Sequence, residues 1–156
     1  SQLLGVADPS LVGKMAEVLR LLGCRHALVV HGEIVGDGGS VGLDELSIGG
    51  PSTICELKGG ALSTQTVSPE DLGLSHAGLE AIRGGLAEEN AALLRDVLSG
   101  ARGPLRDVVV LNAAAALVAG DRVGDLAQGI SLAQEVIDSG AALRKLDQLI
   151  EVSQSA

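Results

Sequence analysis

The sequence contains no phenylalanine, tyrosine or tryptophan among its 156 residues. Aromatic side chains normally supply large, rigid volume in a protein core, so leucine, isoleucine, valine and alanine must fill the interior here. The same absence removes the stacking platforms on which nucleic-acid bases and other planar ligands bind. We therefore expect an aliphatic core and no aromatic recognition surface.

Basic residues are also scarce, because 11 Lys and Arg oppose 20 Asp and Glu and the formal net charge is −9. Nucleic-acid binding needs a positive surface, so nucleic acid is not an expected partner. No apolar run reaches the roughly 20 residues of a membrane span, and the first residues lack the pattern of a secretion signal. We expect a cytoplasmic protein with no membrane partner.

Only two cysteines are present, Cys24 and Cys55. They are too few and too far apart for a disulfide framework or a Cys-x-x-Cys zinc site, and we expect both to fill small apolar spaces. With 46% hydrophobic residues, the chain is long enough for one domain with a sizeable core. We therefore predict a single domain over residues 1–156.

The first part of the chain has the pattern of a β-α-β unit. An apolar run over residues 2–7 predicts a strand, Asp8-Pro9 starts a helix, and Gly23 ends it. Residues 26–31 form a continuous apolar run, which is typical of a strand covered on both faces. Two strands joined in this way pair in parallel through a right-handed crossover.

The remaining pattern predicts a hairpin followed by helices. Residues 33–41 are rich in glycine and are expected to form a surface loop. Segments 52–57 and 61–67 flank a Lys-Gly-Gly turn, which indicates a β-hairpin. From Ser68-Pro69 onward the spacing is helical, and the stretch 108–119 of the helix predicted over 105–119 is apolar nearly all round. The predicted fold is α/β, with a short, partly parallel sheet, a hairpin at one side, covering helices and a helical C-terminal half.

Asp44 and Glu45 are adjacent acids that follow the second predicted strand. Their carboxylates are hard oxygen ligands of the kind that Mg²⁺ prefers, although solvated loop charges would give the same pattern. Asn112 lies inside the apolar helix, where its amide must find hydrogen-bond partners, so we expect it to bond a loop end. His31 is expected at a strand end, bonded to backbone, and orientation of a ligand or metal binding is the alternative. His26 is expected at the surface.

Several blocks that follow one another along the chain resemble anthranilate phosphoribosyltransferases. The blocks are Leu3-Leu4-Gly5-Val6, Val29-Val30-His31-Gly32, Gly42-Leu43-Asp44-Glu45-Leu46, Ser68-Pro69-Glu70-Asp71, Gly84-Gly85-Leu86-Ala87-Glu88-Glu89-Asn90-Ala91 and Leu111-Asn112-Ala113-Ala114. The resemblance implies the C-terminal portion of the family's α/β domain. It further implies phosphoribosyl transfer from phosphoribosyl pyrophosphate to anthranilate in tryptophan biosynthesis, with Asp44 and Glu45 as the ligands of Mg²⁺.

The chain also departs from this family. Its residues contain no counterpart of the family's phosphate loop or helical domain, so we expect a truncated sheet and little or no transferase activity from this chain alone. Uncovered strand edges and helix faces favour self-association, which predicts a homodimer or a larger homo-oligomer. The alternative is a non-catalytic protein, derived from the same scaffold, that self-associates or binds metal.

The glycine-rich segment 33–41 is longer than the family's link between His-Gly and Gly-Leu-Asp-Glu. It loosely resembles the missing phosphate loop, and successive glycine amides can cradle a phosphate. Gly36, Gly38, Gly39 and Ser40 are therefore candidate phosphate-binding residues. A surface loop without a ligand is the alternative, because Asp37 would repel phosphate.

Overall fold

The computed structural model describes residues 1–36 and 39–155. A mixed sheet occupies the first half of the chain and helices occupy the second half. In chain order the elements are β1 (Gln2–Gly5), α1 (Val12–Leu21), β2 (His26–Gly36), β3 (Gly39–Leu43), β4 (Ser52–Lys58), β5 (Ala61–Val67), α2 (Ala87–Leu98), α3 (Pro104–Ala119), α4 (Leu126–Asp138) and α5 (Ala141–Gln154).

The sheet is built around β2, the longest strand. β1 pairs with it in parallel, with Leu3 opposite Leu28, and β4 pairs with it antiparallel before β5 turns back along β4. Gly32 pairs with Ser52 of β4 on one side and with Leu43 of β3 on the other. Strand β3 therefore pairs with the same edge of β2 as β1 does, beyond the end of β1. The predicted β-α-β unit, the hairpin over 52–67 and the partly parallel sheet are confirmed.

Aliphatic side chains form a core on each face of the sheet. Helix α1 covers one face, where its residues meet the alternate residues of β2 and β4; the cluster is Val12, Ala16, Leu19, Ala27, Val29, Cys55 and Leu57. Helix α3 covers the other face, against Leu28, Val30 and Ile54, and α4 packs against α3. Because a strand with period-two alternation presents residues to both layers, β2 is buried on both faces, as its apolar run predicts.

Close approach of backbones compensates for the missing aromatic volume between α3 and α4. A Cβ atom placed on Gly129 of α4 would lie 2.8 Å from the Cα of Ala114 in α3. The two helices therefore pack through small residues. No helix of the described residues is long and apolar enough to cross a membrane.

The surface loop predicted over residues 33–41 is wrong for residues 33–36 and 39–41, because β2 continues to Gly36 and β3 pairs with it from Gly39 onward. The N–H groups of Glu33 and Val35 donate to the carbonyl oxygens of Pro51 (3.0 Å) and Gly49 (3.0 Å) on one side. Ile34 pairs with Val41 on the other side and is buried. Backbone hydrogen-bond partners on both sides therefore extend the strand past its apolar run.

The surface position predicted for His26 is also wrong, because this residue is buried at the start of β2. Its Nδ1 lies 2.7 Å from Oδ1 of Asp121, and its Nε2 lies 2.9 Å from Oε1 of Glu56. Burying an imidazole is costly only when its nitrogens lack partners. Two carboxylates supply those partners and connect β2 to the turn after α3.

Candidate functional site

Asp44 and Glu45 lie in the bend that follows β3, next to the carboxyl end of β1. Gly5, the last residue of β1, packs directly against this bend, since a Cβ atom placed on Gly5 would overlap the carbonyl oxygen of Asp44. In open α/β sheets, ligands bind beyond the carboxyl ends of the parallel strands. The structure therefore places both exposed acids at the edge where such a ligand would bind.

The residue after the acid pair is fixed by Asn112 of α3. The Leu46 N–H donates to Oδ1 of Asn112 (2.9 Å), and Nδ2 of Asn112 donates to the Leu46 carbonyl (2.9 Å) and to the Val108 carbonyl (3.0 Å). One side-chain amide thus satisfies both backbone groups of a fully buried residue. The prediction that Asn112 bonds a loop end is confirmed.

The segment beyond Leu46 is held by buried hydroxyl groups. The Ser47 N–H donates to Oγ of Ser52 (2.9 Å), and the Gly49 N–H donates to Oγ of Ser47 (2.9 Å). A Cβ atom placed on Gly32 would overlap the Glu45 carbonyl oxygen, so β2 also packs tightly here. The acid pair is the exposed end of a rigid, buried segment, which is the support that a binding site needs.

The negative charges of Asp44 and Glu45 repel each other. Partial burial of its carboxyl raises the pKa of Glu45 above the usual 4.5, and the neighbouring Asp44 charge raises it further. Carboxyl groups whose pKa is shifted in this way are characteristic of functional sites. A bound divalent cation would offset the repulsion between these two negative charges, so the chemistry of the acid pair fits Mg²⁺.

Two carboxylates fill only part of the six-oxygen shell of Mg²⁺, which usually keeps water and substrate phosphates as further ligands. Within the described ranges, 1–36 and 39–155, no group of three or more His, Cys, Asp or Glu side chains is arranged to hold a metal ion. Asp44 and Glu45 could therefore hold Mg²⁺ together with water or a phosphate-bearing ligand.

A separate pocket, which Asp44 and Glu45 do not line, contains His31 and Glu33. His31 is buried and its Nδ1 lies 2.9 Å from the Val6 carbonyl oxygen, so the predicted bond to backbone is confirmed, although β2 continues beyond it. The Nε2 atom lies 3.9 Å from Oε1 of Glu33. Sequence reasoning missed Glu33, and the available signal was its two-residue spacing from His31, which places both on one face of a strand.

Three of the four candidate phosphate-binding residues lie in the paired strands β2 and β3. Gly36 ends β2 opposite Gly39, and Ser40 follows in β3, whereas Gly38 lies outside the described residues. The Ser40 hydroxyl donates to Oε2 of Glu33 (2.8 Å), and a carboxylate at this position would repel a phosphate. Phosphate binding by these residues stays a prediction.

Comparison with known proteins places these features in a family. The family described as "Glycosyl transferase family, a/b domain" matches residues 1–143. An anthranilate phosphoribosyltransferase of Thermomicrobium roseum is 54% identical over 151 residues, which are 95% of this chain and 41% of that protein. The enzyme of the same name from Dehalococcoides mccartyi is 51% identical over 156 residues, 99% of this chain and 44% of that protein. The chain spans less than half the length of these relatives.

Solved structures share the fold as well. Anthranilate phosphoribosyltransferase from Saccharomyces cerevisiae in complex with PRPP and Mg has a TM-score of 0.82 at 28% identity, over 100% of this chain and 43% of that one. The enzyme from Thermus thermophilus has a TM-score of 0.76 at 37% identity, over 92% of this chain and 40% of that one. The chain belongs to the glycosyl transferase family, and its residues correspond to that family's α/β domain.

Proposed function

We propose that this chain supplies the Mg²⁺-binding part of a phosphoribosyltransferase that transfers the phosphoribosyl group of PRPP to anthranilate. The observation that carries the proposal is the acid pair Asp44–Glu45, fixed at the carboxyl end of β1 by Asn112. The relatives named above support the reaction and both substrates, and the yeast complex with PRPP and Mg supports the metal.

In this proposal the chain's own residues bind the Mg²⁺ ion and keep its carboxylate ligands in position. Bound Mg²⁺ would neutralise the charge of a pyrophosphate leaving group. Asp44 and Glu45 would hold the ion, while Asn112 and the tight contacts at Gly5 and Gly32 keep the two carboxylates in place. Such preorganised electrostatic stabilisation is a large part of catalysis in phosphoryl and glycosyl chemistry.

We further propose that turnover needs residues beyond these 156. Positioning of the two substrates supplies much of the rate enhancement in a bimolecular transfer. Among the described residues, the candidate site offers carboxylates for a metal, while the Ser40 hydroxyl already donates to Glu33. A cytoplasmic location and transferase activity of the assembled protein belong to the same proposal.

A complementation experiment tests this function. The chain is mixed with the separately produced N-terminal portion of an anthranilate phosphoribosyltransferase, and consumption of anthranilate is followed by its fluorescence with PRPP and Mg²⁺ present. We expect PRPP-dependent turnover from the mixture and none from the chain alone. Asp44→Asn should abolish turnover. Equal turnover by the Asp44→Asn mixture, or no turnover by a mixture shown to assemble, would contradict the proposal.

A further inference from the structure

The imidazole of His26 is enclosed between two carboxylates at the start of β2, away from the acid pair. Its Nδ1 lies 2.7 Å from Oδ1 of Asp121, and its Nε2 lies 2.9 Å from Oε1 of Glu56. The His26 side chain is only 2% exposed. Both distances are those of direct hydrogen bonds, so neither contact leaves room for a bridging water molecule.

These two contacts require two hydrogens on the ring. An ionised carboxylate can only accept a hydrogen bond, and a neutral imidazole has a single N–H to donate. The hydrogen bond from His26 holds the pKa of the Asp121 carboxyl below its usual 3.8, which keeps that acceptor ionised. A hydrogen on Glu56 would also satisfy the second contact, but an imidazole is a stronger base than a carboxylate.

Asp121 occupies a backbone position that normally belongs to glycine. Its φ is 55°, in the left-handed region that is costly for residues with a Cβ atom. The Asp121 N–H donates to the Val118 carbonyl (2.9 Å) and the Arg122 N–H donates to the Leu117 carbonyl (2.9 Å), which are the two bonds of a Schellman motif at the end of α3. The side-chain contact with His26 offsets the cost of an aspartate at this position.

The other charged neighbours act on Asp121 and are exposed. Nη2 of Arg25 lies 3.7 Å from Oδ2 of Asp121, and Nζ of Lys58 lies 3.9 Å from Oδ1. Solvent weakens such exposed pairs. The Sγ atom of Cys24 donates to the backbone carbonyl of His26 (3.4 Å) rather than to the ring. The ring of His26 therefore makes the buried contacts of this group.

We propose that His26, Asp121 and Glu56 form a proton-dependent latch between the sheet and the turn after α3. With two ring hydrogens, His26 of β2 holds Asp121 and Glu56 of β4 at the same time. When the ring loses one hydrogen, a nitrogen lone pair faces a carboxylate and one of the two contacts breaks. The latch is independent of the metal function proposed above.

The direction of the pH dependence follows from the number of bound protons. Histidine in an unfolded chain loses its proton near pH 6.5, roughly its ordinary value, whereas the latched ring retains the proton. Where only the folded chain holds it, the folding equilibrium constant falls by about a factor of ten for each unit that pH rises. Below about pH 6.5 both states hold the proton, and the full contribution of the latch to stability is present.

The protonation state can be measured directly. Imidazole ¹⁵N NMR near pH 7.5, about one unit above the ordinary histidine value, should show hydrogens on both nitrogens of His26. His76 serves as the internal control, because its Nε2 lies 3.0 Å from the Gly49 carbonyl oxygen and a single ring hydrogen satisfies that contact. A single hydrogen on the His26 ring at this pH would overturn the latch.

Urea unfolding of variants over roughly pH 6 to 9 tests the effect on stability. The amide of Asp121→Asn can donate to a neutral His26 ring, and asparagine tolerates the left-handed conformation. We therefore expect Asp121→Asn to lose less stability than the wild type as pH rises, whereas His76→Gln should keep the wild-type dependence. The same pH dependence in Asp121→Asn as in the wild type would overturn the latch.

Asp121→Gly weighs the side-chain contact against the backbone preference. Glycine suits a φ of 55°, so this variant would be more stable than the wild type if the aspartate side chain contributed nothing. We expect it to unfold at a lower urea concentration than the wild type near pH 6, with a smaller difference near pH 9. A higher midpoint for Asp121→Gly near pH 6 would contradict the proposal.

Discussion

Replacement of Asn112 by alanine should remove the hydrogen bonds that hold Leu46, the residue after the acid pair, in place. The side-chain amide of Asn112 satisfies both the N–H and the carbonyl of Leu46 at 2.9 Å, and Leu46 is fully buried. Asn112→Ala leaves both groups without these partners. Each buried unsatisfied polar group costs about 1–3 kcal/mol, so we expect a loss of about 2–4 kcal/mol in the free energy of unfolding, a large share of the total in a domain of this size.

The chain offers a matched control in Asn90. Its Oδ1 accepts from the Gly85 N–H (2.8 Å) and its Nδ2 donates to the Gly85 carbonyl (3.0 Å), which is the same arrangement at an exposed position. Because water can replace these bonds, Asn90→Ala should cost less than about 1 kcal/mol. The difference between the two variants isolates the contribution of burial.

Urea unfolding followed by far-UV circular dichroism measures both losses, since the chain has no tryptophan or tyrosine to report by fluorescence. The Asn112→Ala midpoint should fall well below that of Asn90→Ala at an unchanged denaturant slope. The Mg²⁺ affinity of Asn112→Ala should also fall, because the segment that carries the acid pair loses its hydrogen bonds to Asn112. Equal losses of stability in the two variants, or unchanged Mg²⁺ affinity in Asn112→Ala, would refute this reasoning.

Three further predictions concern the rest of the molecule. Gly129→Ala should lower the free energy of unfolding by about 1–3 kcal/mol, because the added methyl group overpacks against α3. Gly13→Ala has nothing within 4 Å of the added Cβ and should stabilise α1 by up to about 1 kcal/mol. Thermal unfolding of both variants checks this difference. Burial and the Asp44 charge raise the pKa of Glu45, so without Mg²⁺ its contribution to stability falls as pH rises from its usual pKa of 4.5 through the raised value. Glu45→Gln should therefore be at least as stable as the wild type at neutral pH and should flatten that fall, as urea unfolding at several pH values would show. The exposed Leu21 (71%) and Leu22 (78%) at the end of α1 favour the proposed self-association, so sedimentation velocity should show a concentration-dependent oligomer that Leu22→Lys weakens, and a monomer at all concentrations would contradict it.

Local sequence patterns were sufficient to predict much of the fold. The β-α-β unit and the hairpin over 52–67 follow from apolar runs, a proline at a helix start and a glycine turn, all of which act between near neighbours in sequence. Asp44 and Glu45 were predicted as metal ligands through the resemblance to the family, because an adjacent acid pair by itself is equally typical of solvated loop charges.

The errors arose where distant residues decide the outcome. The extension of β2 depends on the carbonyls of Gly49 and Pro51, which only the folded chain brings alongside Glu33 and Val35. The burial of His26 depends on Asp121, 95 residues away. Glu33 joins the pocket only because the supposed loop is a strand, which places its side chain on the same face as His31.

A Mg²⁺ titration of the chain, with amide NMR shifts as the readout, tests whether Asp44 and Glu45 bind the ion. The adjacent acids Glu88 and Glu89 in the first turn of α2 provide a control pair without the buried support. We expect Mg²⁺ to shift the amides of Asp44, Glu45 and Leu46. Asp44→Asn and Glu45→Gln should each remove this response, and Glu88→Gln with Glu89→Gln should leave it intact. Equal responses from the wild type and from Asp44→Asn would contradict the account.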